Sequence, residues 1–210
     1  MTGATGYIGR RLIDALAPRG HRVRALVRPA AAGRPPAGVT RVVGNALDAS
    51  TFAAAVLPSD TIVHLVGTPH PSPSKAAEFK RVDLASILAS VEAARRARAA
   101  HLVYVSVAHP APVMKAYIDA RSAGERAIAD AALTATILRP WYVLGPGHRW
   151  PYLLIPFYAI AGLIPSKRDA VRRLGLVTLS QMVNALVKAV ENPPPTAQIR
   201  IIEVPDIRSS

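Results

Sequence analysis

The sequence predicts an α/β fold with a doubly wound parallel sheet, and three observations carry that prediction. The chain opens Met1-Thr2-Gly3-Ala4-Thr5-Gly6-Tyr7-Ile8-Gly9, a G-x-x-G-x-x-G turn that runs straight into a helical pattern. Strand-length apolar runs then alternate with helix-length segments along most of the chain. One of the runs, at 61–66, is almost continuously apolar, as expected of a strand buried on both faces.

The elements follow in order. Residues 8–17 read as a helix that stops at Pro18 and Gly20, and 22–27 as a strand with partial alternation. A short strand is expected at 40–43, and Ser50 is expected to cap a helix over 51–56. Residues 76–100 read as one long alanine-rich helix. Its apolar positions Val82, Ile87, Leu88 and Val91 fall roughly on one side, and Arg95, Arg96 and Arg98 near its end complement the helix dipole. A strand at 101–106, a helix over 113–133 and a strand at 135–139 closed by Pro140 continue the alternation. Beyond Pro146 come an apolar, proline-broken segment, a strand at 176–178, a helix over 180–191, a triple-proline turn and a last strand at 199–204.

Composition narrows the function classes. A chain of 210 residues, half hydrophobic and 19% charged, suits one large domain with a substantial core. The absence of cysteine excludes disulfides, thiolate metal sites and cysteine nucleophiles. No leader with a basic then apolar pattern is seen, and the run from Trp150 to Pro165 is too short to span a bilayer and is broken by prolines. The expected location is therefore cytoplasmic, with peripheral membrane contact left open. The net charge of +13 is lopsided: residues 1–41 hold eight arginines against the single acid Asp14. That suits an arginine-rich solvated surface, an anionic cofactor or an anionic membrane surface. No nucleic-acid-binding motif accompanies the charge, so nucleic acid is not expected. The six histidines show no metal-ligand spacing, and His64, inside an apolar run, reads as a core histidine.

The glycine turn names the ligand class. Gly3 permits a tight reversal, Gly6 permits close backbone approach to a pyrophosphate, and Gly9 lets the helix pack closely on the sheet. The helix N-terminus then receives the anion. In such folds the turn follows a first, central strand, yet only Met1 and Thr2 precede it here. The expectation is that this strand is missing from the sequence, through truncation or a misassigned start, and that residues 1–210 alone fold poorly. At the end of the next strand, Leu26-Val27-Arg28-Pro29 offers no acid for a ribose 2′-hydroxyl, whereas Arg28 suits a 2′-phosphate. NADP(H) is expected ahead of NAD(H).

These motifs resemble the Rossmann fold of atypical or extended short-chain dehydrogenase/reductases, and within that superfamily NmrA-like proteins and the Rossmann-type accessory subunit of respiratory complex I. The likeness runs from Thr2 to Gly147 and is weaker at 176–190. It implies that Gly3, Thr5, Gly6, Tyr7, Ile8 and Gly9 form the pyrophosphate turn. It further implies that Asn45 and Ala46, in Gly44-Asn45-Ala46-Leu47-Asp48, face the adenine. Val66 and Gly67, in His64-Leu65-Val66-Gly67-Thr68, would pass beside the cofactor. Arg139-Pro140-Trp141-Tyr142-Val143-Leu144-Gly145-Pro146-Gly147 resembles the family segment near the nicotinamide, which places Pro140, Tyr142 and Val143 there.

The catalytic set departs from the family pattern. Relatives use a tyrosine, a lysine four residues on and a strand-end serine. This chain has Tyr117, Arg121 and Ser106, with Val107 and Ala108 where the serine often falls and Lys115 on another helix face. An arginine keeps the charge but holds its proton firmly. The reading is a dinucleotide-binding region over 1–147 and a substrate or lid region over 148–210 completing the same domain. Its activity would be NADP(H)-dependent oxidation or reduction of an apolar small molecule. The alternative is a non-catalytic dinucleotide sensor or an assembly partner of a membrane complex. The apolar and basic segment from Trp150 to Arg173 is compatible with either, as a substrate wall or a membrane-facing surface. The oligomeric state is not legible.

Overall fold

The computed structural model describes residues 1–29, 39–145 and 168–210. The expectations for Arg34, Pro146, Gly147 and residues 150–167 lie outside the described residues.

Among the described residues, eight parallel-paired strands carry the fold: β1 (Val23–Val27), β2 (Val39–Val43), β3 (Thr61–His64), β4 (His101–Val105), β5 (Ala135–Leu138), β6 (Tyr142–Leu144), β7 (Leu176–Thr178) and β8 (Ile199–Ile202). A four-stranded sheet runs β3-β4-β5-β8, β1 pairs with β2, and β6 pairs with β7. Residues 1 and 2 join the first two sheets. Leu26 N donates to Met1 O, Thr2 N to Val63 O and Leu65 N to Thr2 O, and Thr2 forms a parallel bridge with His64. The place of a first central strand is thus held by Met1 and Thr2 near the glycine turn. Further down the same strip lies a hollow of about 680 Å³ lined by Arg22, Arg24, Asp60, Thr61 and Val63 among others, with Arg24 paired to Asp60 near it.

Helices cover both faces, which a parallel sheet requires. On one face α1 (Tyr7–Leu16) and α6 (Leu179–Glu191) pack together, burying Leu12, Ile13 and Leu16 against Met182, Val183 and Leu186. On the other, α3 (Ala85–Ala97) and α4 (Lys115–Asp130) bury Ile87, Val91 and Ile128 against Leu102, Tyr104 and Ile137. α6 opens with a capping box, Thr178 accepting from Gln181 N while the Gln181 side chain reaches back.

Several elements differ from the sequence reading. The long helix is a short α2 (Ala76–Glu78), a π turn over Phe79–Leu84 and then α3; it ends at Arg98, whose φ of 50° is left-handed. Leu88, read as part of its apolar stripe, is 45% exposed, because the buried face runs through Ile87 and Val91 instead. Residues 51–56 form no α-helix. The cap is Asp48, not Ser50: its carboxylate accepts from Ser50 N and Ser50 Oγ, which starts a 3-10 turn at Ala49, and a second turn follows at Ala53–Ala55. The third strand stops at His64 rather than 66, and beyond it the Val66 carbonyl accepts from Arg121. Strand β6 and the short helix α7 (Val204–Arg208) were not anticipated, and the remaining described helix is α5 (Arg168–Arg173).

Candidate functional site

Parallel strands deliver their carboxyl ends to one edge, and the loops there make the site. Gly3 has φ of +71°, and a Cβ on it would sit 2.8 Å from the Leu65 carbonyl carbon. Only glycine fits such a position. Gly6 caps α1 in extended conformation, and no acid stands in the first turn. Gly9 meets the turn itself rather than the sheet, as its Cβ would lie 2.9 Å from Ala4 backbone atoms. The positive φ of Gly3 folds the turn back over the first turn of α1. Arg10 Nε donates to Thr5 O at 2.9 Å, setting a cation beside this cradle. The residues therefore fit a pyrophosphate: backbone packed too tightly for side chains, a helix N-terminus and a nearby guanidinium. Ile8 is half-buried in α1, and Tyr7 lies against Gly145, whose missing Cβ makes the room.

The ends of β1 and β2 sit side by side, with Gly44 N donating to Val27 O at 3.0 Å. This brings exposed Arg28 next to Asn45 and half-buried Ala46. Asn45 Oδ1 accepts from Leu47 N at 3.0 Å, and Asn45 N donates to Thr51 Oγ1 at 2.9 Å. The side chain is left to offer its amide N–H₂, a donor where an aspartate would be an acceptor.

Arg121 is 5% exposed. Its Nη2 meets Asp83 Oδ1 at 2.7 Å, and its Nη1 donates to Val105 O at 2.9 Å and Val66 O at 3.3 Å. Asp83 is fully buried and accepts from Thr68 N at 3.1 Å and Thr68 Oγ1 at 2.6 Å. A Cβ on Gly67 would run into the Arg121 guanidinium, so the loop beside the proposed cofactor lies directly on this ion pair. Tyr117 is half-buried, with its ring 5.2 Å from the Arg121 guanidinium and 5.0 Å from the Phe79 ring. Burial opposes the charge of Arg121, but the Tyr117 and Tyr104 phenols and the Asp83 carboxylate outweigh it and raise its pKa. Burial pushes the Tyr104 phenol up to about 12.

Ser106 stands at the end of β4, buried, and donates to Glu125 Oε1 at 2.5 Å. Arg139 grips both oxygens of Glu125, at 3.1 and 2.5 Å, and donates to Glu203 Oε1 at 2.9 Å. The structure thus brings Tyr117 and Arg121 onto one face of α4 and turns Ser106 toward the same helix. Arg121 is engaged by the buried carboxylate of Asp83 and Ser106 by the partly buried one of Glu125.

Pro140 is buried, and its carbonyl accepts from Ala108 N at 2.9 Å. Half-buried Tyr142 and Val143 follow in β6, and burial raises the Tyr142 phenol above its ordinary range. Asp83 and Glu125, which engage Arg121 and Ser106, are residues that motif reading passes over. Glu125 stands four residues past Arg121, but its partners are Ser106 and Arg139; nothing in the sequence marks Asp83. His64 is fully buried, with Nδ1 3.0 Å from Thr2 Oγ1 and 2.8 Å from Ser90 Oγ, and burial and Arg121 lower its pKa to about 3. Among the described residues no group of three or more His, Asp or Glu could hold a metal, and no helix is long and apolar enough to cross a membrane.

Comparison with known proteins agrees with this geometry. The family described as NAD(P)H-binding matches residues 3–149. A ceramide reductase of Caulobacter vibrioides is 28% identical over 210 residues, covering 99% of this chain and 64% of that protein. A 3-diazoavenalumate denitrifying reductase of a Streptomyces species is 31% identical over 219 residues, covering 91% of this chain and 71% of that protein. The chain therefore spans about two thirds of the length of these relatives. Among solved structures, the Bordetella bronchiseptica enzyme WbmH in complex with NAD+ matches with a TM-score of 0.69 at 19% identity, covering 96% of this chain and 73% of that one. A UDP-galactose 4-epimerase matches with a TM-score of 0.69 at 20% identity, over 96% and 75% of the two chains. With its glycine cradle, its parallel sheet and these relatives, the chain belongs to the NAD(P)H-binding family, on a Rossmann-type fold shared with these solved structures.

Proposed function

We propose that the protein is an NADP(H)-dependent oxidoreductase acting on an apolar small molecule. The observation that carries the cofactor choice is the end of β1. Exposed Arg28 stands beside the Asn45 turn, and no acid occupies that strand end. An acid would accept from a ribose 2′-hydroxyl and repel a 2′-phosphate, whereas a guanidinium forks onto the phosphate. The nicotinamide, when bound, supplies or accepts a hydride. The chain holds the pyrophosphate on the α1 N-terminus, fixes the Val66–Thr68 loop through Arg121 and Asp83, and walls the far end with Pro140, Tyr142 and Val143. Two relatives support an apolar substrate, one named for ceramide and one for a farnesyl-bearing quinoline oxide, 27% identical over 167 residues.

Titration with NADPH and NADH tests the reading. The unaltered protein is expected to bind NADPH at least about tenfold tighter, a difference of roughly 1.4 kcal/mol. Arg28→Asp should remove most of that preference while leaving NADH affinity nearly unchanged. Equal affinities in the unaltered protein would refute it.

A second reading, a dinucleotide-binding protein without turnover, is favoured by one observation: Arg121 replaces the lysine and is closed inside an ion pair. NADPH binding with no reduction of any carbonyl in a broad panel would select it.

A further inference from the structure

We infer that His109 is the proton donor of this site, in place of Tyr117. The inference rests on the reading of the protein as an NADP(H)-dependent oxidoreductase.

Tyr117 lacks its lysine and is wedged between the Phe79 ring and a guanidinium committed to Asp83 and two carbonyls. Ser106 has its hydroxyl proton engaged by Glu125. Neither is arranged to give a proton. Three residues past Ser106, the loop turns along the segment proposed to flank the nicotinamide: Ser106 N donates to Leu138 O at 2.8 Å and Ala108 N to Pro140 O at 2.9 Å. His109 is the next residue. Its side chain is 23% exposed, and its Nε2 is buried 3.5 Å from Glu125 Oε1 with no hydrogen bond of its own.

The charged groups around the ring come from every neighbouring element described. Glu125 faces it from α4. Behind Glu125 stand Arg139 from the end of β5 and Glu203 from the end of β8, and Arg173 of α5 donates to the adjoining Pro110 carbonyl at 3.2 Å. Glu125, pinned by Arg139 and Ser106, cannot swing away, so it can orient an imidazole, as a carboxylate does for a catalytic histidine.

The step balances. In the reducing direction the carbonyl carbon of the substrate takes a hydride from dihydronicotinamide, which is oxidised. The carbonyl oxygen takes a proton from Nδ1 of the His109 imidazolium, since Nε2 is buried against Glu125, giving the alcohol, and solvent reprotonates Nδ1.

Two measurements test this on the whole chain. The His109 Cε1–H signal, assigned by its loss in His109→Gln, is followed by NMR. It is expected to move on adding NADP+ but not on adding 2′-phospho-ADP-ribose, which lacks the nicotinamide, while His21 and His70 stay put. Phenanthrenequinone is the probe carbonyl. His109→Gln should slow its NADPH-dependent reduction by roughly 100-fold, the order expected for losing a general acid, with NADPH affinity within twofold of wild type. Tyr117→Phe should cost less than about tenfold. A His109 signal that does not distinguish the two nucleotides, a His109→Gln rate within threefold of wild type, or NADPH binding without reduction of the probe overturns the assignment and leaves the cofactor reading standing. Failure to bind NADPH overturns both.

Discussion

Arg121→Met is the sharpest test of how the site is held. Asp83 and Arg121 are 0% and 6% exposed at their side chains, so neither charge is relaxed by water. Methionine fills comparable volume but leaves the Asp83 carboxylate buried, with Oδ2 still bonded to Thr68 and Oδ1 without its partner. Breaking a buried pair from one side costs about 3–5 kcal/mol. The Val66 and Val105 carbonyls also lose their guanidinium donor, about 1 kcal/mol each. Against a total stability of ~5–15 kcal/mol, the sum of roughly 5–7 kcal/mol leaves a marginal fold. It should lower the melting temperature by about 10–28 °C at the ~2–4 °C per kcal/mol typical of this size. Asp83→Asn should be similarly costly, and the double variant Asp83→Asn/Arg121→Met should cost clearly less than the two singles added, because no uncompensated charge remains. Urea and thermal unfolding followed by circular dichroism measure all three. Single variants within about 1 kcal/mol of wild type, or strictly additive losses, would refute the claim that one ion pair sets this loop.

Three further outcomes are expected. His64 and His101 are buried neutral with pKa lowered to about 3 and about 4. The unfolded chain binds protons there once pH falls below the ordinary histidine value, and the folded chain does not. Their contribution is therefore full above about pH 6.5, declines by roughly 1.4 kcal/mol per unit for each histidine, and is lost as pH falls through the lowered values; a flat urea midpoint between pH 7.5 and 5 would contradict it. Gly9→Ala should weaken NADPH binding by at least about tenfold, since even a methyl group meets the Ala4 backbone at 2.9 Å; unchanged affinity in a fluorescence titration would show that α1 can shift freely. Finally, the apolar and basic segment from Trp150 to Arg173 should give salt-sensitive co-sedimentation with anionic but not neutral vesicles; no difference between the lipids would remove the membrane-surface proposal.

The fold was legible where periodicity and punctuation agree. The strands at β1, β3, β4 and β5 and helices α1, α4 and α6 follow from apolar runs and their Pro, Gly or Thr ends. The glycine turn was legible because its requirement is local: a positive φ and no room for a Cβ. What could not be read depends on partners distant in sequence. β6 exists because β7 pairs with Tyr142–Leu144 from 34 residues away, and those residues read as part of the loop near the nicotinamide rather than as a strand. The role of Arg121 is set by Asp83, which sits on another element inside a π turn that alanine-rich composition conceals. Ser106 looked like a strand-end hydroxyl facing substrate; Glu125, gripped by Arg139, turns it inward. The cap at Asp48 was missed because Ser50 and Asp48 are both good caps, and only geometry shows which one accepts.

The packing of α6 on α1 has a consequence for how the molecule comes apart. The apolar face of the helix that carries the glycine cradle is covered by a helix from the last fifth of the chain. Leu12, Ile13 and Leu16 are worth ~1.5–3 kcal/mol each when fully buried, so α1 has little reason to stay docked once α6 departs. Chain order therefore misstates folding order: the first helix and the sixth form one cooperative unit closed across some 170 residues, a long-range contact of the kind that slows folding. In hydrogen exchange the amides of α1 and α6 should open together. A fragment ending near residue 147 would retain every glycine of the motif and lose the surface that holds the motif in place.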